Sequence, residues 1–194
     1  MAQRTRRIYV QNKREQNKIY RDLVNGKQTF NTEAARRLLF DFHEVCAIEQ
    51  ATFFLAFGTL LGAYRDHDII PYDTDIDVFM AGKSNHDKLI KLIESGAFSK
   101  KNIFVSRPPR NWSFIRDGMY LDVYPLLFDS KLNLWSGQIS TGAPINHVGA
   151  DQFPLKKIHL LGRYFHIPND SDKFLKERYG ENWKTPIKDK HARS

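Results

Sequence analysis

Apolar residues at Ala35, Leu38, Leu39, Phe42, Val45 and Cys46 recur at the spacing of one helix face, and Asn31 or Thr32 precedes them as a cap. The pattern predicts a helix ending near Gln50. Residues 52–57 form a short apolar run closed by Gly58, which predicts a buried strand, and residues 59–65 predict a turn or two of helix before a loop that ends at Pro71. A strand is expected over 75–80. An amphipathic helix is expected over 85–95, with Leu89, Leu92 and Ile93 on one side and Gly96 as its stop. Strands follow at 103–106, 112–115 and 119–127. Residues 128–149 are rich in Gly, Ser and Asn and predict a loop. Residues 157–167 predict a hairpin around Gly162, and 172–179 a last helix capped by Ser171 and stopped by Gly180. Strands and helices mix without strict alternation. The expected fold class is therefore α/β or α+β, a mixed central sheet flanked by helices. Residues 1–28 read as a basic tail or loose helix, 29–187 as a single domain and 188–194 as a second basic tail.

Composition narrows the picture. Apolar residues make up 41% and charged residues 27% of the 194, which is ordinary for a globular domain. No apolar run reaches the roughly 18 residues of a membrane span. The basic N-terminus lacks the apolar stretch of a secretory signal. Cys46 is the only cysteine, which excludes an intrachain disulfide and a cysteine-built zinc site and fits a reducing compartment; a cytoplasmic location is expected. The net charge of +8 attracts anions, whether nucleotides, lipid headgroups, nucleic acid or anionic glycans. Much of the excess lies in Arg4, Arg6, Arg7, Lys13, Arg14 and Lys18 and in Lys184, Lys188, Lys190 and Arg193. These read either as solvated ends or as a contact with a polyanion.

The chemistry concentrates in residues 57–80. Asp73, Asp75 and Asp77 alternate, and alternate residues of a strand share a face. Clustered carboxylates repel one another unless a cation joins them, and oxygen donors alone suit Mg²⁺ or Mn²⁺. An EF-hand loop is excluded, because its glycine position holds Val78 and its closing glutamate position holds Ser84. Upstream, Gly58-Thr59 forms a turn leading into helix, a geometry that presents backbone N–H groups to a phosphate. Asp122 lies between Leu121 and Val123 in a later strand and needs a partner, either the same cation site or a basic residue such as Arg116. The Arg65 fork suits a phosphate or an ion pair with Asp66 or Asp68. No HExxH, Walker A, GxGxxG or GxSxG pattern occurs.

A Gly-Thr turn followed on the next strand by acid-x-acid resembles the nucleotidyltransferase (polymerase-beta-like) fold, in which a third carboxylate from a later strand completes the site. The longer runs Gly58-Thr59-Leu60-Leu61-Gly62-Ala63-Tyr64-Arg65 and Asp68-Ile69-Ile70-Pro71-Tyr72-Asp73-Thr74-Asp75-Ile76-Asp77-Val78 are similar to the signature of the LicD family. The C-terminal pattern agrees, in Phe153-Pro154-Leu155, Gly162, Ile167-Pro168-Asn169, Phe174-Leu175, Tyr179-Gly180, Trp183 and Pro186. Tyr72 stands where the family usually has Trp, and the alternating carboxylates are intact. The resemblance implies transfer of a substituted phosphate from a CDP-linked donor (choline, ribitol or glycerol type) to a glycan or glycolipid hydroxyl. It implies Mg²⁺ or Mn²⁺ on Asp75, Asp77 and Asp122, with Asp122 or Asp73 taking the acceptor's proton and Gly58, Thr59 and Arg65 near the donor phosphates. Peripheral contact with an anionic membrane is expected. Two alternatives stand beside this reading: transfer of NMP to a protein, RNA or small molecule, and a basic nucleic-acid-binding domain. The acidic cluster disfavours the last, because it repels a phosphate backbone.

Overall fold

A computed structural model of the chain describes residues 29–106, 112–137 and 148–186, together with Lys18, Arg21, Asp22 and Asn25. Most of the N-terminal tail, the C-terminal tail and part of the 128–149 segment lie outside the described residues.

Helix α1 (Thr32–Ile48) begins where the periodicity places it, with the Asn31 side chain accepting from the Ala34 N–H at 3.0 Å. Its buried face is Ala34, Ala35, Leu38, Leu39, Phe42, Val45 and Cys46. Phe42 meets the rings of Phe53, Phe98 and Phe114, so α1 lies across one face of the sheet. The strand expected at 52–57 is only β1 (Phe54–Leu55). Phe57 already turns into helix α2 (Phe57–Leu61) with a left-handed φ of +44°.

The helix expected at 59–65 continues from α2 as one π turn, Gly62–Asp66, ended by His67 in the left-handed region. Gly62 makes the turn possible: a Cβ there would lie 2.5 Å from the Asp68 carbonyl oxygen and 2.9 Å from Ile70 Cγ1. Gly62→Ala is therefore expected to destabilise the domain by about 1–3 kcal/mol, the usual range for a clash that backbone must absorb. Urea denaturation checks this; an unchanged midpoint would remove the argument.

Strand β2 (Ile76–Ala81) is buried almost throughout, the pattern of a central strand covered on both faces. Helix α3 (Lys83–Glu94) follows, then β3 (Phe104–Ser106), β4 (Trp112–Arg116) and the long β5 (Met119–Asp129). The 128–149 segment is not simply a loop. Strand β5 runs on to Asp129, β6 (Leu134–Ser136) pairs with its end, and β7 (Val148–Gly149) pairs with β6. The predicted hairpin is β8 (Lys156–Leu160) and β9 (Arg163–Ile167), turned at Leu161-Gly162 with both φ positive. Helix α4 (Ser171–Tyr179) stops at Gly180 as expected, but its cap is Asp170, whose carboxylate accepts from the Lys173 N–H at 3.0 Å. Ser171 instead donates its hydroxyl to the Pro168 carbonyl.

The main sheet runs β3-β4-β5-β2-β1-β9-β8, leaving β3 and β8 at its edges. Strands β5 and β2 pair in parallel, as do β1 and β9; the other pairs are antiparallel. This is the expected mixed sheet, with α1 on one face. On the other, Phe174 of α4 meets Phe79 edge to face, and Phe153 meets Phe54. Among the described residues no helix is long and apolar enough to cross a membrane.

Candidate active site

Parallel pairing sets Ile76 beside Leu121, Asp77 beside Asp122, and Phe79 beside Tyr124. Residues paired in register share a face. Leu121 pairs on with Phe114, which meets Phe42 of α1, so Ile76 and Leu121 face α1. Asp77, Asp122 and Tyr124 face the opposite way, toward the side covered by α4. The row extends outward, because Asp122 pairs with Ser113 on β4 and Ser113 with Ser106 on β3. One level of the sheet therefore carries Ser106, Ser113, Asp122 and Asp77 in line, with both serines buried.

Asp77 is 8% exposed, and its backbone is fixed from both sides. Its N–H donates to the Thr59 hydroxyl oxygen at 2.9 Å, and its carbonyl accepts from the Ala56 N–H at 3.0 Å. Thr59 thereby buckles α2 onto β2. Burial first, then the charges of Asp75, Asp122 and Asp73, pushes the Asp77 carboxyl well above the usual range, against a hydrogen bond with Tyr124 that favours the charged form. Asp122 is pushed up to about 6, mainly by burial, with the Ser113 hydroxyl opposing and Asp75 adding repulsion. Its Oδ1 is buried without a hydrogen-bond partner. The alternative partner for Asp122, Arg116, is bonded instead to Asp41 on α1.

Asp75 lies one residue before β2 rather than in it, with its Oδ1 accepting from the Thr74 hydroxyl at 3.1 Å. Asp73 accepts from the Thr74 N–H at 2.9 Å and leans against Gly58, where a Cβ would run into its carboxylate. Gly58 is therefore needed for the close approach of Asp73. The structure thus gathers Asp73, Asp75, Asp77 and Asp122 close enough for their charges to act on one another. Among the described residues, no three His, Cys, Asp or Glu side chains stand together as a ready-made metal cage.

Arg65 gives its fork to Asp66 at 2.8 and 2.7 Å, and Asp68 is bonded to Arg36. Two groups at the site carry no signal in the sequence. Ser113 and Tyr124 touch the carboxylates through a register that only the folded sheet reveals. The Tyr124 hydroxyl bonds to Asp77, and its own pKa is driven up, chiefly by burial and then by the charges of Asp77, Asp122 and Asp75. Its ring packs edge to face on Phe57, with centroids 5.4 Å apart.

Comparison with known proteins identifies the family of the chain. The model of the LicD/FKTN/FKRP nucleotidyltransferase domain matches residues 50–170, more than half of the chain. Human ribitol-5-phosphate transferase FKTN is 27% identical over 140 residues, covering 70% of this chain and 30% of that protein. The mouse protein of the same name is 28% identical over the same length and shares. An uncharacterized Caenorhabditis elegans protein, T07A5.1, is 22% identical over 175 residues, 85% of this chain and 46% of the other. The chain thus spans less than half the length of these curated relatives. Among solved structures, the antibiotic-resistance factor ANT(2'')-Ia in solution matches with a TM-score of 0.45 at 12% identity, covering 78% of this chain and 76% of that one. The order of motifs, the mixed sheet that carries them and the match over residues 50–170 place this chain in the LicD/FKTN/FKRP family, as its nucleotidyltransferase domain.

Proposed function

We propose that this domain catalyses metal-dependent transfer of a substituted phosphate, of the phosphocholine, ribitol phosphate or glycerol phosphate type, from a CDP-linked donor to a glycan or glycolipid hydroxyl. The observation that carries the proposal is the pairing of Asp77 with Asp122 on neighbouring parallel strands, buried and within reach of the charges of Asp73 and Asp75. Carboxylates gathered this closely repel one another, and divalent cations are one means of joining them.

The donor set fits Mg²⁺ or Mn²⁺. It is all oxygen, and one buried carboxylate oxygen, Asp122 Oδ1, has no protein partner. Asp75 and Asp77 would hold the ion, with Asp122 alongside; bound there, it would neutralise charge on the transferring phosphate and the leaving nucleotide. Asp122, poised near neutrality at about 6, is suited to take the proton of the attacking hydroxyl. The Ser113 hydroxyl favours the charged form of that carboxylate, and Gly58 lets Asp73 approach the cluster from the α2 side. The ribitol-5-phosphate transferase relatives support the phosphate class, and the acidic cluster makes nucleic acid a poor partner at this site.

The test is a panel of CDP-ribitol, CDP-choline, CDP-glycerol, CTP and ATP, each with and without Mn²⁺, read by thermal unfolding. A ligand at one hundred times its dissociation constant should stabilise the protein by about 2.7 kcal/mol. Metal-dependent stabilisation by one CDP conjugate is the expected result and names the donor. Stabilisation by CTP or ATP alone would instead favour NMP transfer, which mass spectrometry of the product would show by the nucleotide remaining on the acceptor.

A further inference from the structure

Arginines are the natural partners of a diphosphate, and most of those among the described residues are paired with carboxylates. Arg36 is held by Asp68, Arg65 by Asp66, Arg116 by Asp41 and Arg163 by Glu44. Arg178, in the last turn of α4, is the exception. It is exposed, and among the described residues no carboxylate lies within ion-pair distance of it. It is nevertheless held in place, with its guanidinium carbon 4.3 Å from the centre of the Phe57 ring. Phe57 itself is fixed. Its φ of +44° is a conformation few bulky residues adopt, and its ring sits edge to face against both Phe79 and Tyr124. Tyr124 in turn bonds to Asp77. A continuous run of contacts, Arg178 to Phe57 to Tyr124 to Asp77, thus joins an uncommitted cation on α4 to the carboxylate cluster, and Phe57 precedes the Gly58 that Asp73 leans against.

A guanidinium stacked on a ring keeps its N–H edge free, and that edge fits two phosphate oxygens at once. We propose that Arg178 binds the diphosphate of the donor, with Phe57 as the platform that aims it. The proposal rests on the phosphotransfer reading above and names one of its binding residues. A phosphate on the acceptor would offer the same chemistry, so the test must separate the two.

Affinities of the intact chain for CDP and for a sugar monophosphate would be measured by calorimetry with Mn²⁺ present, in wild type, Arg178→Ala and Arg178→Lys. Mn²⁺ affinity alone and the thermal midpoint would be measured on the same samples. The expected result is a tenfold or greater loss of CDP affinity in Arg178→Ala, partial recovery in Arg178→Lys, and unchanged Mn²⁺ affinity and midpoint. A wild type that binds CDP and an Arg178→Ala variant that binds it equally would overturn the assignment while leaving the phosphotransfer reading standing. A loss confined to the sugar monophosphate would overturn the donor assignment. A drop in Mn²⁺ affinity or midpoint that accounts for the CDP loss would reduce Arg178 to a packing residue. A wild type that binds CDP in no condition would overturn both readings.

Discussion

Asp77→Asn should reduce turnover by about a thousandfold or more, roughly 4 kcal/mol of transition-state stabilisation, and at pH 8 should raise the thermal midpoint of the metal-free protein. The two effects have one cause. Asp77 is buried beside three other aspartates whose charges all act on it, so its ionised form costs the fold and is useful only with a cation present. Asparagine keeps the shape and an oxygen for Tyr124 but removes the charge. Stabilisation bought with lost activity is the usual trade at such sites. Steady-state kinetics and denaturation in chelator are the checks. Near-normal turnover would end the mechanism, and a lower midpoint would show that the charge is already compensated within the protein.

The second large effect concerns pH. The carboxyl of Asp122 is raised to about 6 in the folded chain, from an ordinary value near 3.8. The folded state therefore holds this proton more tightly than the unfolded one. The contribution to stability is fully present below about pH 4 and is lost as pH rises through 6; the two-unit difference corresponds to about 3 kcal/mol at most. Other groups slope the opposite way: Glu44 is held low by Lys101 and Arg163, and Asp151 by Lys173. The measurement is thus a difference, denaturation free energy in chelator from pH 4 to 7 for wild type against Asp122→Asn. The variant should gain on wild type as pH rises, and Mg²⁺ at saturating concentration should shrink that gain. Parallel curves would mean that the Asp122 carboxyl is not perturbed.

The sequence made parts of this arrangement legible and hid others for identifiable reasons. Helix α1 is plain from its apolar spacing and the Asn31 cap, and the alternating aspartates announce their chemistry without a structure. The β8–β9 hairpin is plain from Gly162 between two alternating runs. Strands β6 (three residues) and β7 (two residues) are too short to show an alternating pattern within a segment rich in Gly, Ser and Asn; they exist through pairing with the far end of β5, which is a tertiary effect. Phe57 reads as the end of an apolar strand, yet Gly58 after it and Asp73 against Gly58 force the chain to turn one residue early. Ser113 and Tyr124 could not be assigned to the site, because what joins them to Asp122 and Asp77 is strand register. Arg178 was hidden for the same reason, its neighbour Phe57 lying far away along the chain.

The outer strand β8 has a further consequence, for solubility. An edge strand offers a row of open backbone groups to any other chain that can align with it. Lys156, Lys157 and His159 are exposed along β8, and among the described residues no strand pairs with its outer side. Two copies meeting there edge to edge would bring lysine against lysine, so the strand that closes the hairpin also guards the protein against fibrillar self-association.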